Sequence, residues 1–314
     1  MARSTSSPVA ASGTADHAVP GRSLAFQILL SLRPAQWTKN LLVFAGLLFG
    51  RKLLDTVAVL DAVAAFVVFC ALSGVVYIIN DIADRDSDRQ HPLKSRRPIA
   101  SGALPVPVAI GVGVVLGGCG LGAAYAIGAP FFAVALAYLA LQICYSFGLK
   151  HVVIIDALTL AIGFVLRAAG GAVAVHVEIS QWLLVCTILL ALFIALAKRR
   201  HEIVLLAAGA ATHRPILGEY SAYLLDQMIG VVSASTLISY IFYAISPETQ
   251  AKFGTAWLGL TIPFPLYGIF RYLYLVHQRE GGGSPADLLL TDRPLLACVA
   301  LWALTVAVIV YHPV

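Results

Sequence analysis

The chain is dominated by long apolar segments separated by short polar loops. A transmembrane helix needs roughly 20 predominantly apolar residues. Nine segments reach or approach this length, namely residues 38–56, 60–80, 105–127, 130–148, 152–174, 180–198, 221–245, 255–276 and 293–312. The first is the weakest, because charged residues crowd both of its ends. We therefore predict an all-α, polytopic integral membrane protein with about nine transmembrane helices.

Composition supports this fold class and limits the domain organisation. Hydrophobic residues make up 60% of the chain and charged residues 12%, whereas soluble domains carry about 25% charged residues. Residues 1–23 are rich in Ser, Ala, Thr, Gly and Pro and are predicted to form a disordered tail. Residues 24–314 are predicted to form a single transmembrane catalytic domain. It begins with a short interfacial helix that Arg33 and Pro34 cut off.

The distribution of Lys and Arg predicts the orientation in the membrane, because cytoplasmic loops carry an excess of both. With the N-terminus in the cytoplasm, only Arg51, Lys52 and Lys252 fall outside, and Arg167 lies within a span. We predict a multi-pass protein of a bacterial-type plasma membrane with a cytoplasmic N-terminus. The net charge of +5 then follows from topology and phosphate binding, and it requires no nucleic-acid partner.

A dense acidic motif follows the second apolar segment, where residues 80–88 read Asn-Asp-Ile-Ala-Asp-Arg-Asp-Ser-Asp. On one helix, Asn80, Asp84 and Asp88 would stack, with Asp81 beside Asp84. Like charges at these spacings repel, so a hard divalent cation is the natural partner. Mg²⁺ binds one or two carboxylates and takes further ligands from substrate phosphates. The alternative is an ordinary solvated helix end.

Basic and polar residues gather on the same predicted face of the membrane. Lys94 and Arg97 follow the acidic motif within one short loop. Carboxylates that can bind a metal ion, next to cations that can bind phosphate, indicate a diphosphate site. The remaining candidates for substrate binding lie at the cytoplasmic ends of other spans: Lys39, Asn40, Tyr145, Lys150, Asp156, Lys198, Arg199 and Glu202. The alternative for each Lys and Arg in this set is that it only helps to orient the protein in the membrane. Arg167 is predicted to have a structural partner, and Asp292 is a candidate cap of the last helix.

The acidic motif resembles that of a known family. Asn80-Asp81-x-x-Asp84-x-x-x-Asp88 after the second span of a nine-helix protein is similar to the first aspartate-rich motif of the UbiA superfamily of membrane prenyltransferases. The resemblance covers nearly the whole chain from about residue 30. It implies a UbiA-like helical bundle in which these four residues hold Mg²⁺ against a substrate diphosphate. Asp81 and Asp84 are then the expected catalytic residues.

The end of the sixth span departs from the usual pattern of that superfamily. Typical members carry a second aspartate-rich motif there, but this chain has Lys198-Arg199-Arg200-His201-Glu202. One carboxylate among these cations makes a poor second metal site and a good anion site. Together with the motifs around Gln36-Trp37 and Phe147-Gly148, this departure resembles the phosphoribosyltransferase branch of the superfamily.

That branch implies a particular reaction. The expected donor is phosphoribosyl diphosphate and the expected acceptor is a long-chain polyprenyl phosphate such as decaprenyl phosphate, with diphosphate released. The alternative within the superfamily is transfer of a prenyl group from a prenyl diphosphate to an aromatic or glycerol-phosphate acceptor. A transporter is the alternative from another class, but its polar residues should recur near the bilayer midplane rather than at one face. Composition leaves the oligomeric state open, so a homo-oligomer is possible.

Overall fold

The protein is described by a computed structural model that covers residues 23–91, 94–178, 180–206, 215–278, 288 and 291–311. The α-helices are α1 Leu24–Ser31, α2 Ala45–Phe49, α3 Thr56–Ala83, α4 Arg85–Gln90, α5 Pro98–Ser101, α6 Val106–Ile127, α7 Ala129–Phe147, α8 Ile155–Ala174, α9 Gln181–Leu206, α10 Ala222–Ile245, α11 Pro247–Phe253, α12 Pro263–Gln278 and α13 Arg293–Tyr311. Short 3₁₀ helices cover Pro34–Phe44, Lys94–Arg96, Leu149–His151, Pro215–Glu219 and Trp257–Thr261.

The long helices confirm the predicted all-α, multi-pass membrane fold. Within the described ranges, seven helices are long and apolar enough to cross a bilayer: α3, α6, α7, α8, α9, α10 and α13. An eighth span is formed if α11 and residues 257–278 are counted together, although the two parts meet at an angle of 103°. The predicted number of about nine is therefore close to the number of helices that satisfy this test.

The first predicted span is an irregular segment, residues 34–49, that still runs through the bundle. At its start, Arg33 binds Asp81 at the end of α3. At its far end, the carbonyl of Leu47 accepts a hydrogen bond of 3.1 Å from the hydroxyl of Tyr311 in α13. A 3₁₀ helix rises about 2.0 Å per residue, so this short segment is long enough to connect the two ends of the bundle. We call these ends the Asp81 end and the Tyr311 end.

Close backbone contact fixes this segment against α8. A Cβ atom on Gly171 would lie 1.9 Å from the carbonyl oxygen of Val43, and one on Gly46 would lie 2.8 Å from the Cα atom of Ala172. Small residues at helix contacts in membranes allow backbones to approach in this way. The segment is therefore held at a fixed depth, and Lys39 with it.

A buried polar network connects the same segment to the middle of the bundle. Arg167 donates from Nε to Asn40 at 2.7 Å, from Nη2 to the Tyr138 hydroxyl at 2.8 Å and from Nη1 to the Gly163 carbonyl at 2.9 Å. This confirms the predicted structural partner of Arg167. Asn40 also donates to Ser73 of α3, so the network joins four elements: the 3₁₀ segment, α3, α7 and α8.

Two predictions about helix ends are confirmed. Helix α1 ends at Ser31, and its C-cap Leu32 directly precedes Arg33 and Pro34. Asp292 caps the last helix, because its Oδ1 accepts a hydrogen bond of 2.9 Å from the backbone N–H of Leu295. Both boundaries follow from local chemistry that is visible in the sequence.

Candidate functional site

The acidic motif lies at the Asp81 end, but not on one continuous helix. Helix α3 ends at Ala83 and α4 begins at Arg85, with Asp84 between them. The backbone N–H groups of Asp84 and Asp88 still bond the carbonyls four residues earlier, at 2.9 and 2.8 Å. Because of this break, Asp81 and Asp88 point to one side and Asp84 points to another. One continuous helix was expected to place them on the same face.

Asp81 and Asp88 face the same arginine. One guanidinium nitrogen of Arg97 lies 3.1 Å from Asp81 and 2.6 Å from Asp88. Asp81 also binds Arg33, whose guanidinium lies over the ring of Tyr77 at 4.8 Å. Both carboxylates are buried, whereas the two arginines are partly exposed. The anions are thus fixed within the protein, and the cations form the accessible surface.

Asp84 faces a different cation. The ammonium of Lys150, from the loop between α7 and α8, lies 2.6 Å from Asp84. Lys94 approaches Asp88 at 4.0 Å, and Asn80 lies one residue before Asp81 at intermediate exposure. We call Asp81, Asp84 and Asp88 with their partners Arg33, Arg97 and Lys150 the acidic-motif cluster.

The chemistry of these ligands fits Mg²⁺, because the metal prefers carboxylate and amide oxygens. Asn80, Asp81, Asp84 and Asp88 supply such oxygens at one end of the bundle. In the residues that the structure describes, no three acidic, His or Cys side chains converge as a metal site. Each of the three carboxylates is instead paired with Arg or Lys.

The loop that carries Lys150 contains a strained turn. Ile154 has φ of 68° and ψ of −44°, and the N–H of Ile155 bonds the carbonyl of Val153 at 2.8 Å. This is a γ-turn with positive φ, a form that is rare even for small residues. At a β-branched residue such strain amounts to about 1–3 kcal/mol and persists only where surrounding contacts impose it.

A second set of charged residues lies where α8 begins and α9 ends. The Nε atom of Arg199 donates to Asp156 at 2.9 Å, and its Nη1 donates to Glu202 at 3.1 Å. The Tyr220 hydroxyl lies 3.0 Å from the other oxygen of Asp156. We call Asp156, Arg199, Glu202 and Tyr220 the α9 cluster. Burial raises the pKa of Tyr220 above its ordinary value, so the phenol stays protonated near neutral pH.

Two lysines lie close to each other, one beside each cluster. Lys198 is 4.0 Å from Glu202, and Lys39 lies within electrostatic reach of Lys198, Arg33 and Arg167. No hydrogen bond or ion pair to the Lys39 ammonium is found within the described part of the chain. Tyr145 lies within electrostatic reach of Arg199. Positively charged side chains, Arg33, Lys39 and Lys198, therefore lie close to one another in the region between the clusters.

Most residues predicted from the sequence are brought together at the Asp81 end, with one exception. Asn40 belongs to the buried network of Arg167 rather than to either cluster. Arg33 was predicted only to end the first helix, and Tyr220 and Ile154 were not among the predicted site residues. The sequence contained a feature that could have pointed to Arg33, because Arg33-Pro34 interrupts the chain directly before an apolar segment. It contained no such feature for Tyr220, because its partners are distant in sequence.

The fold and the clusters define a multi-pass membrane protein with a charged site at one end of its bundle, and comparison with known proteins identifies the family. A model of the UbiA prenyltransferase family matches residues 40–291. The chain therefore belongs to the UbiA prenyltransferase family. This confirms the resemblance that was inferred from the acidic motif.

Several relatives have a more specific name. The chain is 35% identical to a decaprenyl-phosphate phosphoribosyltransferase of Corynebacterium glutamicum, over 93% of this chain and 89% of that protein. It is 34% identical to a decaprenyl-phosphate phosphoribosyltransferase of Mycobacterium tuberculosis, over 91% of this chain and 95% of that protein. The fold matches a UbiA homolog from Archaeoglobus fulgidus bound to GPP and Mg²⁺, with a TM-score of 0.72, 20% identity, and coverage of 91% of this chain and 99% of that one.

Proposed function

We propose that this protein transfers the 5-phosphoribosyl group from phosphoribosyl diphosphate to a long-chain polyprenyl phosphate and releases diphosphate. The observation that carries the proposal is the difference in charge between two sequence motifs that the fold brings to the same end of the bundle. Residues 80–88 carry the carboxylates Asp81, Asp84 and Asp88, whereas residues 198–202 carry Lys198, Arg199 and Arg200 with one acid, Glu202. One metal-type site beside an anion site suits one diphosphate and one phosphate monoester. The names of the two relatives support the same reaction.

The proposed orientation places the Asp81 end in the cytoplasm of a bacterial-type plasma membrane. Lys94, Arg97, Lys150, Lys198 and Arg200 all lie at this end, and cytoplasmic loops are rich in Lys and Arg. A water-soluble sugar diphosphate would then reach the site from the cytoplasm. The polyprenyl chain would lie in the bilayer between apolar helices.

The donor site is assigned to the acidic-motif cluster. Asn80, Asp81, Asp84 and Asp88 would hold Mg²⁺, which neutralises charge on the departing diphosphate when bound. Lys94, Arg97 and Lys150 would bind the diphosphate oxygens through charge-assisted hydrogen bonds. Because Arg97 is partly exposed beside buried carboxylates, it can bind substrate without leaving the acids uncovered.

The acceptor site is assigned to the space between the two clusters. Lys39 and Lys198, with Tyr145 and Glu202 nearby, would orient the phosphate monoester of the lipid. Asp156, Arg199 and Asn40 would form the fixed wall behind them. The donor's bond between the anomeric carbon and the diphosphate oxygen breaks, and an acceptor phosphate oxygen bonds to that carbon. The acceptor is already anionic, so no strong general base is required.

The experiment uses the full chain purified in detergent with Mg²⁺, phosphoribosyl diphosphate and a long polyprenyl phosphate. Mass spectrometry should detect a lipid heavier by one phosphoribosyl unit, together with released diphosphate, and both should disappear on chelation. Omitting the polyprenyl phosphate controls for simple hydrolysis of the donor. If no such lipid forms while a prenyl diphosphate prenylates an aromatic acceptor, the proposal is wrong and the protein is a prenyltransferase of the usual type.

A further inference from the structure

The loop that presents Lys150 is held by one hydroxyl group from a distant segment. The N–H of Ile154 lies 2.6 Å from the oxygen of Tyr220, and that oxygen lies 3.0 Å from Asp156 Oδ1. An N–H only donates, so the phenol oxygen accepts this bond and directs its own hydrogen to the carboxylate. Tyr220 is 66 residues from Ile154 in sequence.

This hydroxyl lies at the strained point of the loop. Ile154 is the central residue of the γ-turn, and its N–H points out of that turn to Tyr220. A strained conformation at a β-branched residue needs external contacts to hold it. Tyr220 is itself only 5% exposed, and Asp156 is fixed by Arg199. The contact on Ile154 is therefore a rigid one.

The turn determines where Lys150 lies. Lys150 belongs to the 3₁₀ turn Leu149–His151, and His151 and Val152 complete the connection to the γ-turn. From there the Lys150 ammonium reaches Asp84 at 2.6 Å. Tyr220 thus connects Asp156 of the α9 cluster to the loop that carries Lys150 of the acidic-motif cluster.

We propose that Tyr220 is a positioning residue for phosphoribosyl transfer, which acts by holding the turn at Ile154 so that Lys150 stays over the diphosphate-binding cluster. The expected effect of Tyr220 on the kinetics rests on the proposed function. Its expected effect on the structure of the loop does not. Tyr220 touches no reacting atom and supplies no proton to the reaction.

The kinetic test compares Tyr220→Phe with Tyr223→Phe as a matched control, since Tyr223 is 75% exposed in the same part of the chain. Loss of one buried hydrogen-bonding group corresponds to about a tenfold effect. We expect KM for phosphoribosyl diphosphate to rise by about that factor in Tyr220→Phe, with a smaller change in kcat. Tyr223→Phe should leave both parameters unchanged.

A double-substitution cycle separates positioning from a general loss of structure. If Tyr220 acts through Lys150, Tyr220→Phe should have little further effect on KM in a Lys150→Ala background. A merely structural role would instead give effects that multiply. Multiplying effects, or an unchanged KM in Tyr220→Phe, would overturn the proposal.

Hydrogen exchange gives a readout that needs no turnover. In the wild-type protein the amides of Ile154 and Ile155 should exchange slowly because both are hydrogen-bonded, and Tyr220→Phe but not Tyr223→Phe should accelerate them. Fast exchange of these amides in the wild type would overturn the proposal even if no variant folds. Failure of the wild-type protein to make the phosphoribosyl lipid would instead contradict the proposed function, and the exchange result would still decide the role of Tyr220.

Discussion

The two charged clusters at the Asp81 end differ in which partner is buried. In the acidic-motif cluster the Asp81 side chain is 2% exposed, whereas its partners Arg33 and Arg97 are 25% and 26% exposed. In the α9 cluster both partners are buried, with Arg199 at 2% and Asp156 at 0%. Similar residue types therefore form pairs with an accessible cation around Asp81 and a closed pair between Asp156 and Arg199.

This difference in burial indicates that the two clusters have different roles. Exposed guanidinium groups on buried carboxylates can exchange partners when an anion arrives, because each cation keeps access to solvent. A fully buried pair cannot, because separating it leaves an uncompensated charge in a low-dielectric interior. We infer that the acidic-motif cluster binds the donor, while the α9 cluster is the framework that keeps neighbouring loops in place.

The largest expected effect concerns the acidic motif itself. Asp81→Asn removes the charge that holds Arg33 and Arg97, and we expect diphosphate release to slow by about 10²–10³-fold. The rate of release by purified protein with both substrates measures this. Asp86→Asn is the matched control, since the Asp86 side chain is 92% exposed in the same motif. Normal activity of Asp81→Asn would remove this carboxylate from the site.

The next largest effect concerns stability and tests the difference in burial between the two clusters. Asp156→Asn leaves the buried Arg199 with Glu202 as its remaining ion-pair partner among the described residues, and removing one partner of a buried pair costs about 3–5 kcal/mol of folding free energy. Denaturation of the detergent-purified protein measures the loss. The double substitution Asp156→Leu with Arg199→Met should recover much of it. Arg97→Met should cost less, because Arg33 and Lys94 remain near the two carboxylates. Equal losses would contradict the distinction between the clusters.

A smaller effect tests the shared arginine. Arg97→Lys keeps the charge but loses the guanidinium group whose Nη1 atom bonds both Asp81 and Asp88. We expect KM for phosphoribosyl diphosphate to rise about tenfold, which is typical of one lost charge-assisted hydrogen bond. Arg96→Lys in the same exposed turn should have no effect. An unchanged KM in Arg97→Lys would show that the cluster requires only a positive charge at this position and not the shape of the guanidinium.

The smallest effect lies outside both clusters, at a partly exposed pair. The hydrogen bond from Arg271 holds the pKa of Asp292 below its usual range. The folded form therefore gains stability from ionised Asp292 above its ordinary pKa of about 4, and this gain is lost as the pH falls through the lowered value. Asp292→Asn, which keeps the helix cap, should remove this part of the acid dependence. An identical acid profile in wild type and variant would contradict the assignment.

Much of the fold follows from local sequence properties. Long apolar runs predicted the spans, Arg33-Pro34 predicted the end of α1, and Asp292 predicted the start of α13, because each depends on residues close in sequence. The first span was predicted as an ordinary helix. It is a largely 3₁₀ segment whose shape depends on Gly46 and on Gly171 of α8, a contact between residues far apart in the chain.

The sequence by itself determined the class of protein and the residues available for chemistry, because hydrophobicity, charge and a spaced motif are properties of the chain. Only the tertiary structure decided how those residues are divided. It directed Asp84 to Lys150 and Asp81 to Arg97, it moved Asn40 into the network of Arg167, and it enclosed Arg199 with Asp156. The physical reason is that ion pairing and burial depend on which helices meet, and in a membrane bundle those contacts join segments that are distant in sequence.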